Sequence, residues 1–248
     1  MRIPWRREPR NVEGRMSVIE HLAELRRRLF ISIAAVAVGA VVAYIFAPQI
    51  IEFLVRYYRD ATGVGDKELI FTGPIDGFII RLKVATYGGI VLALPVWLYQ
   101  LWRFVTPGLN PREKRYVVPF VSSAIVLFAL GGFVALRTLE PALDFLLGVG
   151  GSSLTPLLTA DKYISLVSLM IVAFGIAFEF PVVLVFLLIA RVVSTAQLSR
   201  WRRAAVVIIV TFAAVITPSQ DPYSLFFMAV PMYVFYEASI IIGKVLKR

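Results

Sequence analysis

Apolar residues run through this chain in long unbroken blocks rather than in the alternating or three-four rhythm of a soluble fold. Residues 29–47 and 84–102 are each uncharged for 19 positions, and 116–136 for 21. A helix needs about 20 apolar residues to cross the ~30 Å hydrocarbon core of a bilayer, so each block predicts one membrane span. Residues 163–190 hold 28 positions with a single charge, Glu179, a length that permits a marked tilt. Two shorter blocks, 204–217 and 223–236, hold 14 residues each, about 21 Å of helix at 1.5 Å per residue. The second resumes after Glu237 and reaches 243. Pro218 and Asp221-Pro222 predict a tight turn between them, because proline cannot continue a helix and pre-sets turn geometry. A re-entrant pair is the alternative for these two blocks. Basic residues on both flanks, and the need to satisfy backbone groups in lipid, favour two crossing helices.

The pattern therefore predicts an all-α integral membrane protein with six spans, at about 29–47, 84–102, 116–136, 163–190, 204–217 and 223–243. They form one domain over 17–248, behind a basic tail at 1–16 expected to lack fixed structure. Composition agrees: 59% of residues are hydrophobic and 17% charged, where soluble domains carry about a quarter charged. Nineteen of the 26 lysines and arginines precede the first span, follow the sixth, or lie in the second-to-third and fourth-to-fifth connections; seven lie on the other side. The positive-inside rule then puts both termini in the cytoplasm, in a cytoplasmic (inner) membrane. The net charge of +10 is thereby explained by topology and implies no nucleic-acid partner. The first block exceeds the 7–15 residue core of a cleaved export signal and more spans follow it, so it reads as a retained span.

Candidate chemistry is sparse. There is no cysteine, and His21 is the single histidine, so neither a thiolate nor a histidine-rich metal site is expected. Gly148, Gly150 and Gly151 lack the spacing and lysine of a phosphate loop. No catalytic site, cofactor or metal is predicted. Three charged features remain. Ser17-Val18-Ile19-Glu20 is a capping-box start, and Val18, Leu22, Leu25 and Leu29 recur at helical spacing, predicting an interfacial helix that leads into the first span. On it Glu24 and Arg28 stand four apart, as an ordinary surface pair or as part of a receiving site. Asn110, Pro111 and Glu113 suit the N-cap, N1 and N3 positions of the third span; Glu113 either caps that helix or offers a carboxylate to a partner's arginine. Glu179 sits near mid-membrane, where an ionised acid is expensive, so it is either protonated or turned to a hydrated concavity or a polar partner.

Taken in order, several pieces resemble the TatC family, the large subunit of the twin-arginine protein translocase. They are His21-Leu22-x-Glu24-Leu25-Arg26-x-Arg28-Leu29, Ala47-Pro48, Phe78 and Lys83, Leu94-Pro95-Val96-x-x-Tyr99-Gln100-x-Trp102-x-Phe104, and Pro107-x-Leu109 with Glu113-x-Arg115. Phe178-Glu179-x-Pro181-Val182, Thr217-Pro218 and Pro231-Met232-Tyr233 with Glu237 complete the match. The resemblance implies a concave, glove-like bundle of six helices, the last two short, that binds signal peptides with consecutive arginines on already folded precursors. It implies Glu24 and Glu113 as the acidic pair at the cytoplasmic rim, with Arg26 shaping the patch and Phe104 against the peptide or anchoring at the interface. Two carboxylates suit two arginines, because a guanidinium pairs bidentately where lysine cannot. Glu179 matches the family's intramembrane acid, expected to hydrate or thin the bilayer within the concavity. Pro48, Phe78, Pro95 and Glu237 match structural positions. Partners implied are TatA- and TatB-type single-span subunits, the lipid bilayer and further copies of the chain, with transport driven by the proton-motive force. Two departures stand out: the 217–221 turn is one residue longer than in some relatives, and Leu225 replaces a frequent glutamine, leaving Thr217 as the candidate for partner docking. The competing reading is a proton-coupled small-molecule transporter using Glu179, against which stands the lack of interrupted-helix repeats.

Overall fold

A computed structural model describes residues 18–62, 69–105, 117–151 and 158–245. Among these the regular structure is helical, apart from an isolated bridge between Ile70 and Thr159. All six predicted blocks fall on helices. The first lies in α1 (Val18–Ile45), where the interfacial turns and the span are one continuous rod. Ser17, the predicted cap, and the tail 1–16 lie outside the described residues.

Helix α2 (Ala47–Thr62) was not among the predicted elements. Glu52, Arg56, Arg59 and Asp60 interrupt any long apolar run there. Its core contacts come instead from Ala47, Leu54 and Tyr58, spaced seven and four apart and all buried, which is the stripe of an amphipathic helix. Pro48 falls in its first turn, where a missing N–H costs nothing. Tyrosines fasten it: Tyr57 donates its hydroxyl to the Leu136 carbonyl at 2.6 Å, and Tyr163 donates to the Leu54 carbonyl at 2.9 Å.

The second predicted span is bent. It divides into α3 (Asp76–Leu92) and α4 (Leu94–Val105), which meet at 50°. Pro95 explains the break, since its ring and absent N–H interrupt the helical ladder. The Trp97 indole N–H donates to the Ile90 carbonyl at 3.2 Å, satisfying a backbone acceptor beside the bend. The third span is longer than its apolar block: α5 (Val117–Gly148) carries Arg137, Glu140 and Asp144 beyond it, about 48 Å of helix in all.

The fourth span consists of α6 (Ala160–Phe178) and α7 (Phe180–Ile189), joined through Glu179 and passing together as one candidate span. More than half of its most apolar window is buried, against 6% for α1. This pair is the central pillar, and α1 leaves most of its surface exposed. A short helix α8 (Thr195–Arg200), opened by a capping box on Ser194 and Gln197, leads to α9 (Arg202–Ile216) and α10 (Pro222–Val245). The predicted hairpin turn forms between them. Asp221 Oδ1 accepts the Ser224 N–H at 2.8 Å, and Gln220 takes a left-handed φ of 50°.

Close helix approach depends on small residues, as expected where lipid removes the hydrophobic drive for association. A Cβ on Gly89 of α3 would stand 2.7 Å from the Ala40 backbone nitrogen of α1, and one on Gly131 of α5 would stand 2.5 Å from the Phe174 carbonyl oxygen of α6. The two faces of the bundle are distinct. One, the arginine-rich face, holds the start of α1, the end of α4, α8 and the end of α10. The opposite face carries the Ile70–Thr159 bridge and the Lys83–Asp161 ion pair at 2.7 Å.

Candidate functional site

At the arginine-rich face the first turns of α1 lie against the last turns of α4. The ring of His21 stacks on Phe104 with centroids 4.3 Å apart and 18° between planes. Two turns further along α1, Arg28 donates through Nε and Nη2 to Glu24 Oε1, the former at 3.0 Å, and through Nη1 to Gln100 Oε1 of α4 at 2.9 Å. The guanidinium thus bridges the two helices and points the Glu24 carboxylate. Both side chains are largely shielded, at 15% and 18% exposure. Glu24 Oε2 is buried and has no hydrogen-bond partner among the described residues. A carboxylate oxygen left in that state carries an unmet desolvation cost, which an additional donor would relieve.

Beside this pair opens a cavity of about 610 Å³, lined by Glu20, Glu24, Arg27, Arg28, Gln100 and Arg103. Its polar walls alternate in sign, and Arg103 also lies over the Tyr99 ring at 5.9 Å from the centroid. Of the predicted site residues, the structure brings Glu24 and Phe104 to this region. Glu113 lies outside the described residues. Arg26 is exposed and does not line the cavity, because two helical positions turn it roughly 200° from Glu24. Arg28, read from the sequence as an ordinary i,i+4 partner of Glu24 or as part of a receiving site, is the cation hydrogen-bonded to that carboxylate and to Gln100. The clue in sequence was Gln100 itself, a polar residue inside an apolar block.

Glu179 occupies the break between α6 and α7, is 8% exposed, and leaves Oε1 without a partner among the described residues. The structure shows it packed inside the bundle rather than open to a wide concavity. Thr217 is also buried, its hydroxyl donating to the Ala213 carbonyl at 2.7 Å and lying 3.7 Å from Met228 Sδ. The hydroxyl is thus engaged within its own hairpin. Glu237 joins α10 to Arg202 of α9 and accepts from Tyr233 at 3.2 Å. Pro95 sits at the bend, while Pro48 and Phe78 line a cavity on the opposite face.

The fold and this site define an all-helical, multi-pass membrane protein with a charged cavity at one membrane face. Residues 20–231 match the family model for the Sec-independent protein translocase protein TatC, and the chain belongs to that family. It is 42% identical to the TatC protein of Frankia casuarinae, covering 96% of this chain and 68% of that one. With the TatC protein of Aquifex aeolicus it shares 41% identity, covering 94% and 97%. A crystal structure described as the twin-arginine translocase receptor TatC superposes with a TM-score of 0.76 at 41% identity, covering 92% of this chain and all of the other. The chain is accordingly a component of the Sec-independent protein translocase.

Proposed function

We propose that this protein is the receptor subunit that binds twin-arginine signal peptides of folded precursors at the cytoplasmic face of the inner membrane. Both termini would lie in the cytoplasm, as the distribution of basic residues requires. The observation that carries the reading is Glu24: an interfacial carboxylate oriented by Arg28 and Gln100, with one oxygen still unpaired, on the wall of an open cavity. Arg28 occupies Oε1, and Oε2, shielded in the free protein, would meet a peptide guanidinium as the Glu24 side chain turns into the cavity. Glu113 would supply the second carboxylate, and the stacked His21 and Phe104 an apolar edge for the peptide. TatA- and TatB-type single-span subunits would associate through the lipid-facing helices, with the α9–α10 hairpin held in shape by Thr217 and Asp221. The proton-motive force would drive transport. The translocase family favours this over solute transport through Glu179.

The test is photo-crosslinking of a signal peptide to the full chain in membrane vesicles. Glu24→Gln with Glu113→Gln should lower crosslinking at least about tenfold, since loss of even one of the two ion pairs at ~1.4 kcal/mol implies that much. A Lys-Lys signal should behave like that double variant. Undiminished crosslinking in both experiments would remove the carboxylate mechanism.

A further inference from the structure

A second cavity, of about 620 Å³, opens at the opposite face from Glu24, where the end of α1, helix α2 and the starts of α3 and α6 meet. Its size falls within the roughly 300–1,000 Å³ of small-ligand sites. The inner wall is apolar, built from Ile51, Val55, Ile80 and Ile164. Two guanidinium groups border it, Arg59 from α2 and Arg81 from α3, both exposed. Among the described residues neither forms an ion pair or hydrogen bond. Their neighbours on the same helices are tied: Arg56 to Glu52 at 3.0 Å, and Lys83 to Asp161 at 2.7 Å and Ser165 at 2.9 Å.

The place of this cavity along the helices is informative. Tyr44 closes the first apolar block and Phe78 precedes the second, so both stand at the level of the membrane–water boundary, where aromatic side chains gather. Arginine forks without a partner among the described residues match the geometry of a phosphate diester there. The apolar wall beneath them would be wasted on a free anion but accommodates the hydrocarbon that follows a lipid phosphate. A zwitterionic head group would bring an ammonium against two uncompensated cations; an anionic one would not. Basic pockets between membrane helices hold acidic lipid head groups at cytoplasmic and matrix faces, and the same pairing chemistry is available to Arg59 and Arg81 on this side.

We propose that this groove binds the phosphodiester head group of an anionic phospholipid in the leaflet opposite the arginine-rich face. The lipid would brace the junction of α2, α3 and α6.

The experiment uses the purified full chain in nanodiscs containing a trace of photoactivatable phosphatidylglycerol, with crosslinked peptides read by mass spectrometry. Peptides bearing Phe71 or Phe78 should be labelled in the natural chain and in Arg56→Gln, which removes a charge from α2 outside the groove. In Arg59→Gln with Arg81→Gln, labelling there should fall at least tenfold while labelling near the arginine-rich face is unchanged. Photoactivatable phosphatidylcholine should label the groove weakly in every variant. Equal labelling by the two lipids, or undiminished labelling in the double variant, would overturn the proposal. Displacement by millimolar inorganic phosphate would overturn it as well, in favour of a soluble-anion site.

Discussion

Arg202 of α9 grips Glu237 of α10 with both arms of its guanidinium, Nε to Oε1 at 2.7 Å and Nη2 to Oε2 at 2.8 Å. The contact spans 35 positions in sequence and locks the two helices of the hairpin together at the arginine-rich face, far from their turn. Both side chains are substantially exposed, at 45% and 30%, so solvent screening limits the pair to a small contribution. Arg202→Lys, which cannot make the fork, should lower the detergent unfolding temperature slightly. A double-mutant cycle with Glu237→Gln should return a coupling of that size, reduced in high salt. No coupling would show that the fork is a surface ornament.

The α1–α3 crossing predicts a larger effect. A methyl group on Gly89 would meet backbone atoms of Ala40 at 2.7 and 2.8 Å, and backbone cannot swing aside as a side chain can. Gly89→Ala should cost about 1–3 kcal/mol, typical of overpacking. Gly77→Ala on the same helix, where nothing stands within 4 Å, should be close to neutral. Unfolding of both variants in mixed detergent micelles separates the two; similar stabilities would mean that the helices part easily.

At the turn between α9 and α10, Gln220 holds a φ of 50°, a left-handed conformation that disfavours residues with a Cβ. Gln220→Gly should therefore stabilise the hairpin by up to about 1 kcal/mol. The expected sign is the reverse of that at Gly89, and a thermal-shift measurement reads it directly.

Acid should loosen the start of α3. Asp76 accepts hydrogen bonds from the Thr72 hydroxyl at 2.8 Å and from the backbone N–H groups of Thr72 and Gly73 at 2.7 and 2.8 Å. These donors favour the carboxylate and hold its pKa below the usual value of 3.8. A depressed folded-state value contributes stability above the unfolded pKa, and that contribution disappears as pH falls through the folded value. Hydrogen-exchange protection at Thr72 and Gly73, taken relative to the intrinsic amide rate at each pH, should fall below about pH 4. Asp76→Asn should show low protection that is the same across that range; a persisting pH dependence of protection would assign the effect to another group.

Arg28 makes a prediction about the site. One guanidinium serves Glu24 and Gln100 together, so Arg28→Lys keeps the charge but loses the bridge. Signal-peptide affinity should fall about tenfold, the equivalent of ~1.4 kcal/mol, with little change in unfolding temperature. Gln100→Leu should weaken binding in the same direction. If Arg28→Lys bound as tightly as the natural chain, the orientation of Glu24 would not matter to recognition.

What could be read along the chain, and what could not, follows a physical division. The number, order and approximate limits of the apolar segments are legible because a run of uncharged residues is measured against a fixed hydrocarbon thickness, a comparison that needs no other part of the molecule. The hairpin turn was legible for a similar reason, since proline acts on its own backbone. Helix α2 was missed because its buried face is only Ala47, Leu54 and Tyr58, scattered among charges that matter only once α5 and α6 lie beside it. Pro95 announced a disturbance within the second block, but the 50° bend is set by the packing on either side. The acids themselves were visible, and their surroundings were not. Gln100 stands 72 positions from the arginine it orients, and only the bundle decides that Glu24 borders a cavity while Glu179 is enclosed. Hydrophobic length is a property of a segment; the direction and company of a side chain are properties of the neighbours that packing brings to it.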